Sequence, residues 1–387
     1  MRVARFLRAI MRGCPTVPDR LIAKRMALLD SSGIRKIFDL AANMADPVNF
    51  SIGQPDFDVP EAAKEAAIEA IRNGENRYTV TQGIPQLHER LRRLLREQKR
   101  WEPEGLLITS GASGALILAL LVLVEKGDEV LIGDPYFVMY KHLVNLAGGT
   151  PRLLDTYDDF ELTAPKVEKA ITRRTKVLIL NSPCNPTGAV ISAQELERIA
   201  AVARRHNLVV ISDEIYSDFS YEESCPSMAG LYDKVLLVHG FSKTYAMTGW
   251  RMGYAAGPAE IIAEMTKLQQ FSFVCAPSMA QWGALKALEI DPSAYVDAFK
   301  RKRDRIYDGL KGAFDVRRPS GAFYIFPKAP WASATEFVEE AIRNNVLMIP
   351  GKVFSERDTH FRISYATSLE QIDRGVEILN RLARSRS

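Results

Sequence analysis

Short runs of continuous apolar residues punctuate the middle of the chain: LLIT at 106–109, EVLIG at 129–133, KVLIL at 176–180, LVVIS at 208–212 and KVLLV at 234–238. Between them, the patterns at 114–125, 136–147, 165–172 and 192–206 predict helices. A strand that is apolar on both faces has to be covered on both faces, and helices in the connections supply that cover. The middle of the chain is therefore constrained to an α/β fold with a parallel sheet between helices. Sheets of this kind bind ligands outside the carboxyl ends of their strands. The chemically informative residues are expected just after each run.

The rest of the chain sets the frame. With 387 residues, 47% hydrophobic, it can build two domains with substantial cores. The segment QLHERLRRLLREQKR at 86–100 lines up Leu87, Leu91, Leu94 and Leu95 as one apolar stripe, with its arginines on a solvated face. The last hundred residues alternate helical patterns with FYIFP and HFRISYA, an α+β arrangement. The expected organisation is a large domain over 51–290 and a smaller α+β domain over 291–387, with 19–50 as an N-terminal arm that joins the smaller one in part. Residues 1–18, with Arg2, Arg5, Arg8 and Arg12 among neutral neighbours, superficially resemble a transit peptide. They lack the apolar core of a secretory signal, so a flexible basic extension, or a start codon placed too far upstream, is expected.

Composition excludes several function classes. A net charge of +4 is too weak to argue for nucleic acid. The best apolar run, ALILALLVLV at 115–124, is half a membrane span and reads as a buried helix. Cys14, Cys184, Cys225 and Cys275 are scattered, with no metal-ligand spacing, which fits free thiols in a reducing cytoplasm.

At the strand ends stand residues that each have an ordinary structural explanation. Asp213 follows LVVIS, where an acidic turn or helix cap is common. Asn181, Asn185, Pro186, Thr187 and Gly188 follow KVLIL as a tight loop. Tyr136 follows EVLIG and Asp134-Pro135, where an aromatic usually packs half-buried. SGASGAL, holding Ala112 and Ser113, follows LLIT as a helix start. Lys243 stands just past VLLVHGF, with Ser242 before it and Arg251 eight residues on. Taken together, they place a lysine, a carboxylate, a phenol, an amide, an aromatic ring and an anion-binding turn at one sheet edge. A lysine can bond an aldehyde, a carboxylate can hold a pyridine nitrogen protonated, and a phenol and an amide can bond a ring hydroxyl. The helix start, the serine and the arginine can bind a phosphate. Those groups suit pyridoxal 5'-phosphate.

The motifs SIGQPDFDVP, NRYTVTQGIPQL, SPCNPTG, SDEIY, SKTYAMTGWRMGY and FRISYA follow in that order between about residues 20 and 383. In this the chain resembles the class I/II, fold-type I, pyridoxal-phosphate-dependent aminotransferases of the aspartate aminotransferase superfamily. The resemblance implies that Lys243 bonds the cofactor aldehyde and that Asp213 pairs with the ring nitrogen. It implies further that Asn185 and Tyr216 bond the ring hydroxyl and that Tyr136 stacks on the ring. Ser242, Arg251, Ala112 and Ser113 would hold the phosphate, joined by Tyr78 from the neighbouring subunit of a homodimer. Arg362 would grip the substrate α-carboxylate, and Gly53 would lie against the substrate. Burial and Arg251 are expected to lower the Lys243 pKa, so that the amine is available. The implied reaction moves an amino group between an L-amino acid and a 2-oxo acid such as 2-oxoglutarate, in ping-pong fashion, with no metal, nucleic acid or membrane partner. A carbon–sulfur lyase or related synthase on the same fold shares these residues and stays open. A nicotinamide dehydrogenase lacks its GxGxxG, and a regulator lacks room for a DNA-binding module. The donor also stays open among aspartate, aromatic and other neutral amino acids: Ser113 stands where aspartate users often carry lysine, and FSFVCAPS at 271–278 is rather apolar.

Overall fold

The computed structural model describes residues 21–29, 44–331 and 333–385. The basic stretch 1–18 and Cys14 lie outside the described residues. The strands are β1 (Val48–Asn49), β2 (Gly105–Ser110), β3 (Glu129–Asp134), β4 (Thr150–Asp155), β5 (Thr175–Asn181), β6 (Val209–Asp213), β7 (Val235–Gly240), β8 (Met252–Gly257), β9 (Tyr324–Ile325), β10 (Val346–Leu347), β11 (Ile349–Pro350) and β12 (Phe361–Ser364). A seven-stranded sheet runs in the order β2-β8-β7-β6-β5-β3-β4. Only β8 runs against the others, antiparallel to both β2 and β7. Thus β2 to β7 all point their carboxyl ends to one edge. Two of these strands carry no apolar run in the sequence: β8 reads MGYAAG, and β4 is an edge strand that alternates exposed and buried positions.

Helices cover both faces. They include α1 (Glu61–Arg72), α2 (Pro85–Lys99), α3 (Gly111–Leu123), α4 (Met139–Ala147), α5 (Ala164–Ala170), α6 (Ala193–Arg205), α7 (Ala259–Gln270), α8 (Ser278–Ala287), α9 (Ser293–Leu310), α10 (Ala334–Arg343) and α11 (Leu369–Arg384). Helix α2 buries Leu87, Leu91 and Leu95 completely. Its arginines do more than face water, since Arg92 and Arg96 both reach the Glu102 carboxylate, at 2.8 and 2.9 Å. Helix α6 is capped by Ser192 Oγ, which accepts from Glu195 N, and it lays Leu196, Ile199 and Ala203 on the sheet. Helix α3 is buried nearly all round, which explains its uniformly apolar sequence. Among the described residues no helix is long and apolar enough to cross a membrane.

The C-terminal residues build a second apolar cluster around Phe299, Phe323, Phe337, Phe361 and Leu379. Two small sheets organise it, β11-β12-β9 and the parallel pair β1-β10. Phe50 completes this part of the molecule: its N–H donates to Leu347 O and its carbonyl accepts from Ser364 N, both at 2.8 Å. From there the chain continues through residues 51–54 to the edge of the large sheet.

Candidate active site

Where the strand ends of the large sheet meet the β9–β12 sheet, a cavity of about 540 Å³ opens. The topology decides what lines it. Asn181 ends β5 and pairs in register with Asp213, which ends β6. Beyond β7, Ser242 and Lys243 turn into the same space, and the start of α3 contributes Ala112 and Ser113. From the other side come Arg362, on β12, and Tyr324, on its partner strand β9.

Lys243 is the centre. Its Nζ donates to Gly53 O at 2.7 Å and sits 5.7 Å from the centroid of the Tyr216 ring. Burial pulls its pKa down to about 8, Arg362 and Arg251 add repulsion, and Asp213 works the other way. Asp213 is 3% exposed and accepts from Tyr140 Oη at 2.7 Å. Burial pushes its carboxyl up to about 6, against the bonds from Tyr140 and Ile215 N. Tyr216 shares a 2.8 Å hydroxyl bond with Tyr324. Gly53 is needed for close approach, because a Cβ there would lie 2.6 Å from Tyr324 Oη.

Arg362 is 1% exposed and has no carboxylate partner among the described residues. Nη1 donates to Asn185 Oδ1 at 3.0 Å and Nη2 to Ser51 O at 2.8 Å, while Nε has no acceptor. The Tyr324 and Phe354 rings lie 4.5 and 4.8 Å from its guanidinium carbon. A buried cation held this way is set to receive an anion. Arg251 donates to Thr248 O at 2.8 Å and likewise has no acid partner among the described residues. It lies beside the start of α3, which no side chain caps, and Gly111 (φ +70°) leaves room there that a Cβ would take from Arg251 Nη2, 2.5 Å away. Ser242 faces the same space, 8% exposed. An uncapped helix start, an unpaired arginine and a hydroxyl make an anion cradle. In all, the cavity carries three cations, Lys243, Arg251 and Arg362, against one carboxylate, Asp213. That surplus fits a phosphate at one end and a carboxylate at the other, so the residues present fit pyridoxal phosphate with an amino-acid substrate.

Of the residues expected from sequence, Gly53, Ala112, Ser113, Asn185, Asp213, Tyr216, Ser242, Lys243, Arg251 and Arg362 come together here. Tyr136 does not. Its N–H is held by Phe354 O at 2.9 Å, and its side chain packs in a separate small cavity with Phe160 and Leu162. Phe137, one residue further on, lines the main cavity and forms a wall shared with the small one. Tyr78 is 84% exposed and does not line the cavity. Sequence reasoning missed Phe137, Tyr140 and Tyr324. A signal existed for the first two, an aromatic at every position but two in the turn YFVMY.

Comparison with known proteins agrees with this geometry. The family model for aminotransferase class I and II matches residues 45–379. The probable aspartate aminotransferase of Methanocaldococcus jannaschii is 40% identical, covering 94% of this chain and 100% of its own length. The aromatic-amino-acid aminotransferase 2 of Thermococcus litoralis is 34% identical, over 94% and 99%. The solved structure of Thermus thermophilus aspartate aminotransferase with maleate superposes with a TM-score of 0.90 at 35% identity, over 94% of this chain and 100% of that one. A family match over most of the sequence, with relatives of this identity covered almost end to end, is decisive: the chain belongs to the class I and II aminotransferase family.

Proposed function

We propose that the cavity holds pyridoxal 5'-phosphate and transfers the amino group of a neutral or aromatic L-amino acid to a 2-oxo acid such as 2-oxoglutarate. Bound there, the cofactor supplies an aldehyde that receives the amino group and a ring that withdraws electrons from the carbon being deprotonated. The chain's own residues do the rest. Ser242, Arg251 and the start of α3 at Ala112 and Ser113 hold the phosphate. Asp213, ionised above its pKa of about 6, faces the ring nitrogen and keeps it protonated. Asn185 and Tyr216 would bond the ring hydroxyl, and Phe137, which lines the cavity where Tyr136 does not, would pack against the ring. Arg362 takes the substrate α-carboxylate in two parallel bonds. Lys243 Nζ, with a pKa lowered to about 8, is deprotonated often enough near neutral pH to bond the cofactor and to take and return the substrate Cα proton. The observation that carries the proposal is the buried Lys243 sharing one cavity with Asp213 and with Arg251 and Arg362, which have no acid partner among the described residues.

For the donor side chain, the described lining offers Ile52, Met139 and Ser113 but no cation beyond those already used. This favours a neutral or aromatic donor. Aspartate is the second reading, favoured by the names of the relatives. The same proposal includes a homodimer with Tyr78 completing the partner's phosphate site, division into parts at 51–290 and 291–387, and a cytoplasmic setting, in which Cys184, Cys225 and Cys275 stay unpaired. The test is to incubate the holoenzyme with single L-amino acids and 2-oxoglutarate and measure glutamate. Leucine, alanine, phenylalanine or tyrosine is expected to outpace aspartate in kcat/KM. Faster aspartate would overturn the donor assignment. Pyruvate and ammonia from cysteine or cystathionine, without glutamate, would show a carbon–sulfur lyase.

A further inference from the structure

A second polar cavity, of about 310 Å³, shares no lining residue with the first. Its walls come from α2 (Arg90, Leu94, Lys99), the turn after β6 (Ser217, Asp218), the end of β7 (His239), Tyr245, β8 (Tyr254) and the link at 288–292 between α8 and α9. Several of its charged groups are already satisfied. Lys99 pairs with Glu214 at 2.7 Å. Gly240 N donates to His239 Nδ1 at 2.8 Å, so the ring's proton sits on Nε2 and goes to Ser217 Oγ at 2.9 Å. Asp291 is used by Ser293, and Glu289 by Lys286.

Four groups are left over. Arg90 Nη2 donates to Leu288 O at 2.9 Å, but Nη1 is buried without an acceptor. Asp218 accepts from Thr244 Oγ1 through Oδ2 alone, at 2.5 Å, leaving Oδ1 free. Tyr254 and Tyr245, 3% and 9% exposed, make no hydroxyl hydrogen bond among the described residues. Buried polar groups are rarely left without partners; Arg90 Nη1 is one, and with Asp218 Oδ1 and the two tyrosine hydroxyls lining the same cavity it asks for a ligand that both donates and accepts. Apart from Asp291, exposed at the rim and bonded only by Ser293, the charges without an ionic partner are the Arg90 guanidinium and the Asp218 carboxylate, and Leu94, Phe241, Leu288 and Ile290 add apolar wall. The volume is at the small end of ligand pockets. We propose that this cavity is a second binding site for a small zwitterion, an α-amino acid whose carboxylate bonds Arg90 and whose ammonium bonds Asp218. An anion alone would face Asp218, and a cation alone would face Arg90; a zwitterion meets both with the opposite charge.

The test must silence the first cavity. Holoenzyme carrying Arg362→Ala, reduced with borohydride so that Lys243 cannot exchange, is titrated calorimetrically with L-alanine, L-valine and L-leucine. Propionate and 2-aminopropanol serve as probes with one charge each. One amino acid is expected per chain, at least ~10-fold tighter than either one-charge probe. Adding Arg90→Met is expected to weaken it by ~10-fold or more, and so is Leu94→Trp, which fills the space without touching a charge. No heat up to tens of millimolar, equal binding of the one-charge probes, or binding that survives both variants would each overturn the proposal. So would a crystal of the soaked protein showing only water in the cavity. None of these outcomes bears on the cofactor assignment, which rests on the other cavity.

Discussion

Lys243 has to be both a cation, to be held at Gly53 O, and a free amine, to react. Its pKa of about 8 sets where the change occurs. The reactivity of Lys243 in apo-protein toward an added aldehyde should therefore rise through pH 8, whereas an ordinary lysine waits until about 10.4. Borohydride trapping at stepped pH with peptide mapping measures the midpoint. Arg362→Met removes a repelling cation and should move that midpoint upward; an unchanged midpoint would mean that Arg362 does not help set it. Asp213 gives a stability prediction with the opposite partner logic. Its folded pKa, about 6, is above the ordinary aspartate value of 3.8, so the folded state holds the proton more tightly. Stability linked to this group is full below about 3.8 and is lost as pH rises through 6. A shift of that size corresponds to roughly 3 kcal/mol. Apo Asp213→Asn should thus gain up to about that much over the unsubstituted protein at pH 7.5, less the lost Tyr140 bond, and little at pH 4. Denaturant unfolding at the two pH values checks it. These residues were legible because each stands just past an apolar run. Tyr324 was not: it follows Phe323 inside FYIFP, where neighbouring aromatics look alike and only the register of β9 against β12 turns one toward Arg362.

Element positions explain why Tyr136, expected at the cavity, does not line it. Tyr136 and Phe137 are consecutive in the turn before α4, and their side chains leave the backbone in different directions. An error of one position therefore exchanges the cavity side, Phe137, for the packed side, Tyr136. The central sheet was legible where strands are buried on both faces, and β8 was not, because short side chains leave no apolar run to see. The start of α3 makes its own prediction. Gly111 and Gly74 both have left-handed backbones, with φ +70° and +88°. Alanine at either costs about 1–2 kcal/mol in conformation. At Gly74 nothing lies within 4 Å of the new Cβ, whereas at Gly111 it meets Arg251. Both variants should lower the Tm of apo-protein, but only Gly111→Ala should also weaken cofactor binding, by about tenfold or more for a displaced charge-assisted bond. Fluorescence titration with pyridoxal phosphate separates them; equal affinities would show that Arg251 holds no phosphate.

At the scale of the whole molecule, the surface points to a second copy. Tyr78, Val80 and Phe271 are 84%, 60% and 85% exposed. They belong to two segments tied together, since Gln269 Nε2 donates to Thr81 O at 2.8 Å and Gln281 Nε2 to Thr79 Oγ1 at 3.1 Å. The same patch borders the anion cradle, because the Phe273 ring lies 3.8 Å from where a Cβ on Gly114 would stand. An exposed apolar patch at the rim of a site suits an interface, and on the proposed homodimer Tyr78 would reach the partner's phosphate. A phenol hydrogen bond to a charged acceptor is worth ~1.5–3 kcal/mol, so Tyr78→Phe should weaken cofactor binding by roughly ten- to a hundredfold. Mixing subunits decides whose site it completes. A hybrid dimer of one Tyr78→Phe chain and one Lys243→Ala chain, if sites are shared, has one site with both lesions and one with neither. At a cofactor concentration that leaves the Tyr78→Phe homodimer largely empty, such hybrids should show about half the activity of the unsubstituted dimer, one intact site of two. If tagged hybrids are purified and remain inactive, Tyr78 acts within its own chain and the active sites are not shared.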